Sequence, residues 1–216
     1  MPLSERYRRQ VALLIDVIPF VAAEKDFALK GGTAINLFVR DMPRLSVDID
    51  LTYLPVAPRP ESLTAIDAAM KRIAAAIRNG MRGVRVTEVM NAREQIVTKL
   101  TLQRPDAQIK IEVTPVLRGC VLEPEMRSVS PGVEDTFGFA EIQVVSFPDL
   151  YAGKIMAALD RQHPRDLFDV RDLLANESFA VLCPTCHRWC HHKAVDILQP
   201  LAIPVLRAAR YKGIPL

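Results

Sequence analysis

The pattern of hydrophobic and polar positions predicts a chain in which helices and short strands alternate. Apolar residues at helical spacing predict an amphipathic helix over 4–17, with Ser4 as its N-cap and Pro19 as its stop. A second amphipathic helix is predicted over 61–79 and is closed by Gly80. Between and after these helices, the spacing of the apolar residues changes from helical to alternating.

Short apolar or alternating segments predict six strands. They lie at 27–29, 47–53, 83–88, 95–103, 108–114 and 140–145. The turn Arg104-Pro105-Asp106-Ala107 joins two of them as a hairpin. Residues 121–139 contain prolines and glycines and have little periodicity, which predicts a loop or a β-excursion. Further helices are predicted over 33–40, from an N-cap at Ser146, and from Pro164.

Two segments in the first quarter of the chain combine residues able to bind phosphate and metal. Lys30-Gly31-Gly32-Thr33-Ala34 follows the strand at 27–29, and Asp48 and Asp50 occupy alternate positions of the strand at 47–53. Side chains at i and i+2 of a strand point the same way, with Cβ atoms roughly 6 to 7 Å apart. Carboxylates this close repel each other unless a cation neutralises them, and Mg²⁺ prefers such oxygen ligands. Glycines at positive φ expose backbone N–H groups toward an anion.

Each half of this pattern also has an ordinary structural interpretation. A Gly-Gly pair is usually a turn, and a single Asp-x-Asp is usually a solvated strand face or loop. In the order strand, Gly-Gly, helix, loop, Ser-x-Asp-x-Asp, they resemble the entry motif of the DNA polymerase β-like nucleotidyltransferase superfamily. The blocks at 27–34 and 44–51 resemble those of the AbiEii/AbiGii toxin family, and a third block agrees at 147–173. The resemblance covers about residues 10–176.

This resemblance implies an α+β protein with the polymerase β-like nucleotidyltransferase fold. Its mixed or antiparallel sheet would be flanked by helices and followed by a helical C-terminal part. The corresponding division places a nucleotidyltransferase core at 1–145, a helical second motif block at 146–176 and an atypical tail at 177–216.

The resemblance also implies two-metal nucleotidyl transfer from a nucleoside triphosphate. Asp48 and Asp50 would hold two Mg²⁺ ions, one lowering the pKa of an acceptor hydroxyl and the other holding the triphosphate and the leaving pyrophosphate. The nucleotide-binding residues that it implies are Lys30, Gly31, Gly32, Thr33, Ser46, Arg165 and Asp166. It suggests RNA, notably tRNA, or a protein hydroxyl as the acceptor. The setting would be a toxin with a cognate antitoxin, or phage defence.

Glu112 is a candidate third carboxylate. The strand at 108–114 alternates, so Lys110 and Glu112 share the face opposite Ile109 and Ile111. The resemblance implies that an acidic residue here can ligate one metal and help to deprotonate the attacking hydroxyl. A solvent-facing Glu112 flanked by Lys110 explains the pattern equally well.

The second motif block contributes one lysine and an acidic helix. A mid-helix lysine is usually a surface residue, but the resemblance implies that Lys154 is catalytic, and its charge suits a triphosphate. Asp169 is implied to orient Lys154 or to contact the base or ribose. Acidic residues such as Asp166 in a first helical turn also stabilise the helix dipole, which is the alternative. Arg165 could bind phosphate or pair with Asp169 along the helix.

The composition changes sharply after Asn176. Residues 178–216 hold three of the four cysteines, three of the four histidines and the only tryptophan. Cys183, Cys186, Cys190 and His191 offer zinc-ligand types, but a second knuckle at the usual separation is missing. A frameshifted or truncated reading frame would also produce this change in composition, and so would a native helical end.

Length and charge are compatible with such an enzyme. The chain has 216 residues, half of them apolar, and a net charge of +3, too small to indicate nucleic-acid binding by itself. Neither a membrane span nor a signal peptide is predicted, so the expected location is the cytoplasm. Two further functions stay open: a nucleotidyltransferase that acts on a small molecule such as an antibiotic, and an inactive remnant that only binds nucleotide.

Overall fold

The computed structural model describes residues 4–177, and the chain divides into two compact units between Ser146 and Phe147. The sequence places this boundary one residue earlier, before Ser146. The first unit contains a sheet with its covering helices, and the described part of the second unit is a pair of helices. The zinc and frameshift hypotheses for the tail fall on residues 178–216, outside the described residues.

The elements largely follow the predicted pattern. The first unit has helices α1 Glu5–Ala22, α2 Gly31–Ala34, α3 Arg59–Gly80 and α4 Pro131–Phe137. Its strands are β1 Phe27–Lys30, β2 Asp48–Tyr53, β3 Arg85–Met90, β4 Val97–Gln103, β5 Gln108–Arg118, β6 Glu125–Ser128 and β7 Glu141–Val144. The second unit has α5 Phe147–Arg161 and α6 Pro164–Asn176.

One mixed sheet of seven strands organises the first unit, in the order β3-β4-β5-β2-β1-β7-β6. β2 runs parallel to β5, and β1 runs parallel to β7, while the other neighbours are antiparallel. Helix α1 contacts β5 and β7, and α3 contacts β3, β4 and β5. The predicted mixed sheet flanked by helices is confirmed.

The core lies between the sheet and the helices α1 and α3. Leu14 and Ile18 of α1 and Ile66 of α3 are fully buried, as are Ile49 and Leu51 of β2. In β2 these two residues alternate with Asp48 and Asp50, which are half-buried. Because successive strand side chains point to opposite faces, both aspartates lie on the face turned away from this core.

The first helix shows one correct and one wrong prediction. The Ser4 side chain accepts a hydrogen bond from the Tyr7 backbone N–H at 3.3 Å, which confirms the N-cap. Pro19 does not stop the helix, which continues to Ala22. An interior proline costs about 3 kcal/mol. Val21 lies beyond it and is buried, so packing against the core compensates for the proline.

Two other predicted boundaries were wrong, and one segment was predicted only in part. The helix predicted over 33–40 begins at Gly31 and passes into a π-helical turn, Ile35–Val39. Gly80 was predicted to follow the end of α3, but it is the last helical residue. The helix is capped by Met81, whose N–H still donates to the Ile77 carbonyl. In the segment 121–139, β6 agrees with the predicted β-excursion, while α4 was not predicted.

Candidate functional site

The first glycine of the turn lies against an aspartate. Gly31 has a φ of +76°, and a Cβ at this position would lie 2.6 Å from Oδ2 of Asp50. Lys30, the last residue of β1, is directly opposite Asp50 in the antiparallel pair. Only glycine meets both the left-handed backbone and the lack of space, so the turn and the carboxylate are in direct contact.

The second glycine makes room for the segment that leads into β2. A Cβ at Gly32 would lie 2.5 Å from Nη2 of Arg44 and 2.7 Å from Oγ of Ser46. Gly32 is itself buried. The motif therefore places a guanidinium and a hydroxyl directly over the turn.

Thr33 connects the turn to the strand that carries the aspartates. Its side chain is fully buried, and its Oγ1 donates to the backbone carbonyl of Asp48 at 2.6 Å. The same hydroxyl shares a 3.2 Å hydrogen bond with Oγ of Ser46. The predicted contact of Thr33 with a phosphate remains a prediction, while these bonds hold β2 at a fixed distance from the turn.

Two buried polar residues that the sequence pattern did not single out hold the segment before β2. The backbone N–H of Ser46 donates to the hydroxyl of Tyr7 at 3.3 Å, and burial raises the pKa of that phenol. Asn36 donates from Nδ2 to the Gly32 carbonyl at 2.6 Å and accepts from the Arg44 N–H at 3.1 Å. In the sequence, the signal for both residues is a polar side chain at a position of an otherwise apolar helical pattern.

A row of four charged residues crosses the sheet at Asp50, with two acidic residues between two lysines. Glu112 of β5 is its neighbour in the parallel pair, and Lys99 of β4 is the neighbour of Glu112. With Lys30 on β1, the row reads Lys30, Asp50, Glu112, Lys99. Neighbouring strands of a sheet lie about 4.7 to 4.9 Å apart, so these four residues follow one another across the sheet.

The charges in this row influence one another. Burial lowers the pKa of Lys30, and the negative charge of Asp50 partly opposes this change. Nζ of Lys99 lies 2.8 Å from Oε1 of Glu112, with about a third of the lysine side chain and two fifths of the glutamate side chain exposed. Glu112 is therefore not simply solvent-facing, since one of its oxygens is bound to Lys99.

The donor set on β2 fits a magnesium ion. Asp48 and Asp50 supply two hard oxygen groups on one face, and Mg²⁺ typically takes one or two carboxylates and completes its shell with water and phosphate. The missing Cβ of Gly31 keeps space beside Oδ2 of Asp50. Within residues 4–177, no group of three His, Cys, Asp or Glu side chains is arranged to hold a metal. The third ligand predicted at Glu112 stays a prediction.

The second unit buries a lysine between two carboxylates. Nζ of Lys154 on α5 lies 3.0 Å from Oδ1 of Asp166 and 3.1 Å from Oδ2 of Asp169, both on α6. Oδ2 of Asp166 also meets Nη2 of Arg161 at 2.9 Å. Burial would raise the pKa of Asp166, but its hydrogen bond and attraction to Lys154, with Arg161 and His163, lower it overall.

Arg165 has a different environment from these buried groups. It lies on the exposed side of α6, where its backbone N–H donates to Nδ1 of His163, the N-cap of the helix. Asp166 and Asp169 are buried three residues apart on the same helix, which places them on one face toward Lys154. The helix thus separates an exposed arginine from a buried ion-pair cluster.

The fold is that of the polymerase β-like nucleotidyltransferases. MenT4, a nucleotidyltransferase toxin from Mycobacterium tuberculosis H37Rv, is similar in structure with a TM-score of 0.58 and 16% sequence identity. The match covers 82% of this chain and 61% of MenT4, so the chain spans about three fifths of that protein's length. The family model described as "Nucleotidyl transferase AbiEii toxin, Type IV TA system" matches residues 12–188, and the chain belongs to this family.

The predicted family and fold are therefore confirmed. ANT(2″)-Ia, solved in complex with adenylyl-2″-tobramycin, gives a TM-score of 0.38 at 20% identity, covering 94% of this chain and 99% of that one. A comparison with curated proteins gives no match. Among the helices of residues 4–177, none has the length and hydrophobicity of a transmembrane span.

Proposed function

We propose that the chain is a metal-dependent nucleotidyltransferase of toxin type, which transfers a nucleoside monophosphate from a nucleoside triphosphate to a hydroxyl acceptor. The observation that carries this proposal is the contact between the glycine turn and the aspartate strand. A Cβ at position 31 would clash with Asp50, and glycine has none. Thr33 connects the turn to the backbone of Asp48 by a hydrogen bond. The turn proposed to bind phosphate is thus held beside the two carboxylates proposed to bind metal.

Each group in the first unit has a defined part in the proposed reaction. Magnesium bound at Asp48 and Asp50 would supply charge neutralisation for the triphosphate and a lower pKa for the acceptor hydroxyl. The turn at Gly31 and Gly32 would orient the phosphates with its N–H groups. Lys30 would offset part of their negative charge. Thr33, together with Ser46, holds the strand in register with the turn.

The second unit contributes a preoriented cation. Lys154 is held by Asp166 and Asp169 at 3.0 and 3.1 Å, which fixes its Nζ rather than leaving it to sample many rotamers. We assign Lys154 to the nucleotide phosphates and Asp169 to the orientation of Lys154. Arg165, exposed at the start of α6, is assigned to phosphate as well.

The proposed acceptor is RNA, in particular tRNA, or a protein hydroxyl, and the proposed partner is a cognate antitoxin. The family's description as a type IV toxin–antitoxin system supports the toxin assignment. Phage defence is the proposed biological setting, and the cytoplasmic location remains a prediction from the sequence. Induced expression should arrest growth, and coexpression of an antitoxin encoded next to the gene should relieve the arrest.

Label transfer tests the reaction directly. The protein would be incubated with Mg²⁺ and each nucleoside triphosphate labelled at the α-phosphate, with total tRNA in one arm and protein extract in another. Label should enter one acceptor class, and Asp48→Asn/Asp50→Asn should abolish the transfer. Asp135→Asn, on the exposed surface of α4, is the matched control and should keep it.

The same assay separates the competing functions. Transfer that persists in the double variant would contradict the metal-carboxylate mechanism. Label that enters only a small hydroxylated compound, such as an aminoglycoside, would favour the small-molecule enzyme. Nucleotide binding without transfer to any acceptor would identify the chain as an inactive remnant.

A further inference from the structure

The charged row across the sheet contains a residue with no part in the proposed chemistry so far. Lys99 lies on β4, and Asp50 lies on β2, with Glu112 of β5 between them. Nζ of Lys99 lies 2.8 Å from Oε1 of Glu112. The one acidic neighbour that Asp50 has in this register is therefore engaged by a cation of the chain itself.

The exposure of the Lys99–Glu112 ion pair indicates what it can contribute: little to stability, but a defined direction for the carboxylate. Both side chains are partly exposed, at 34% for Lys99 and 40% for Glu112, so water screens their attraction. Ion pairs of this type stabilise a fold very little. They can nevertheless determine the direction of a flexible carboxylate, because an ammonium at hydrogen-bond distance fixes one of its oxygens.

We propose that Lys99 is a positioning residue that holds Glu112 away from the cation at Asp48 and Asp50, so that the site uses two carboxylates instead of three. This inference rests on the proposed function, since it requires a divalent cation at the two aspartates. The register places Glu112 close enough to Asp50 to join them, and Lys99 competes for the same carboxylate. A site with fewer protein ligands leaves more positions of the ion to water and triphosphate.

Direct measurement of Mn²⁺ affinity, by electron paramagnetic resonance of the free ion, tests this competition. Lys99→Met removes the ammonium and keeps most of the stem. It should tighten Mn²⁺ binding by about two- to fivefold, the range of a solvent-exposed ion pair. Lys99→Arg keeps a cation opposite Glu112 and should retain the wild-type affinity.

A double-mutant cycle with Glu112→Gln separates positioning from simple charge. Glu112→Gln should weaken Mn²⁺ binding more in the Lys99→Met background than in the wild type, because only there is Glu112 released to the ion. Lys110→Met is the matched control. Lys110 lies on the same face of β5 as Glu112, is the strand neighbour of Asp48, and carries the same charge as Lys99. Its cycle with Glu112→Gln should be additive.

The water shell of the bound ion gives a second readout. If Glu112 joins the ion in Lys99→Met, the enhancement of water-proton relaxation by bound Mn²⁺ should fall, because a carboxylate replaces water. Additive effects in the Lys99 cycle, with unchanged relaxation, would overturn the role of Lys99 and leave the proposed function intact. Mn²⁺ binding that does not depend on Asp48 and Asp50 would overturn both.

Discussion

The Thr33 hydroxyl donates a 2.6 Å hydrogen bond to the backbone carbonyl of Asp48. This bond joins the helix that follows the glycine turn to the strand that carries both aspartates. Thr33 is fully buried, so its hydroxyl and the carbonyl have little access to water as a replacement partner. The Thr33 side chain is thus one direct link between the proposed phosphate and metal sites, beside the pairing of Lys30 with Asp50.

Replacement of Thr33 by valine tests this link. Thr33→Val has nearly the same shape but leaves the Asp48 carbonyl without its donor, so the free energy of unfolding should fall by about 1 to 3 kcal/mol. Denaturant unfolding measures the change. Mn²⁺ affinity should fall as well, because one of the bonds that hold β2 against the turn is lost.

Thr33→Ser is the control for this prediction, since it loses the methyl group but keeps the hydroxyl. It should retain most of the Mn²⁺ affinity even if packing costs some stability. Equal Mn²⁺ affinities for the valine and serine variants would show that the hydrogen bond does not position the strand.

Gly31→Ala should weaken metal binding in addition to destabilising the fold by backbone strain. The residue has a φ of +76°, where a side chain costs about 1 to 2 kcal/mol, and its Cβ would lie 2.6 Å from Oδ2 of Asp50. Asp50 must move to relieve this contact. Calorimetry with Mn²⁺ should therefore show weaker binding together with the loss of stability.

Gly83→Ala offers a closely matched control. Gly83 has the same φ of +76°, but a Cβ there would meet no atom within 4 Å. It should lose a similar amount of free energy from strain and keep the Mn²⁺ affinity. If both alanine variants bind Mn²⁺ like the wild type, the contact between the turn and Asp50 has no role in metal binding.

The sequence predicted the parts of this site that depend on local periodicity. Asp48 and Asp50 were placed on one face because strand side chains alternate, and the burial of Ile49 and Leu51 confirms this. The tertiary relationships were not predictable in the same way. The neighbourhood of Asp50 and Glu112 arises from the parallel pairing of β2 with β5, for which the sequence contains no local signal.

The wrong prediction at Pro19 has the same physical origin. Pro19 was expected to end α1 because local backbone preference disfavours proline in a helix, but the burial of Val21 beyond it favours continuation. Local preference alone would place Lys154 on the surface, and only the family resemblance predicted a functional role for it; its buried environment is supplied by Asp166 and Asp169 of the next helix. In each case, contacts between distant elements outweighed the local preference.

Lys154→Met should strongly destabilise the second unit. The Lys154 side chain is 8% exposed and lies between two carboxylates that are themselves buried. Its removal takes away the cation that Asp166 and Asp169 share, and Arg161 remains only at Asp166. Breaking one side of such a buried cluster costs about 3 to 5 kcal/mol. Denaturant unfolding followed by near-ultraviolet circular dichroism, which reports Tyr151 on the same helix, measures the loss.

The control for Lys154 is an exposed lysine in an ion pair. Lys71 is half exposed and meets Asp67 of the same helix at 2.7 Å, so Lys71→Met should cost less than about 1 kcal/mol. A loss for Lys154→Met as small as that for Lys71→Met would contradict the assignment of Lys154 to a buried, preoriented cluster.

The pH dependence of stability should report on Asp166. Its pKa in the folded chain lies below the ordinary 3.8, because Lys154 and Arg161 outweigh the effect of burial. Folding therefore favours the ionised carboxylate, which contributes fully above about pH 4 and is lost as the pH falls through the lowered pKa. Asp166→Asn should be less stable than the wild type at pH 7, and the difference should shrink below pH 4. Asp135→Asn should follow the wild-type profile, and a constant difference between Asp166→Asn and wild type at all pH values would contradict this linkage.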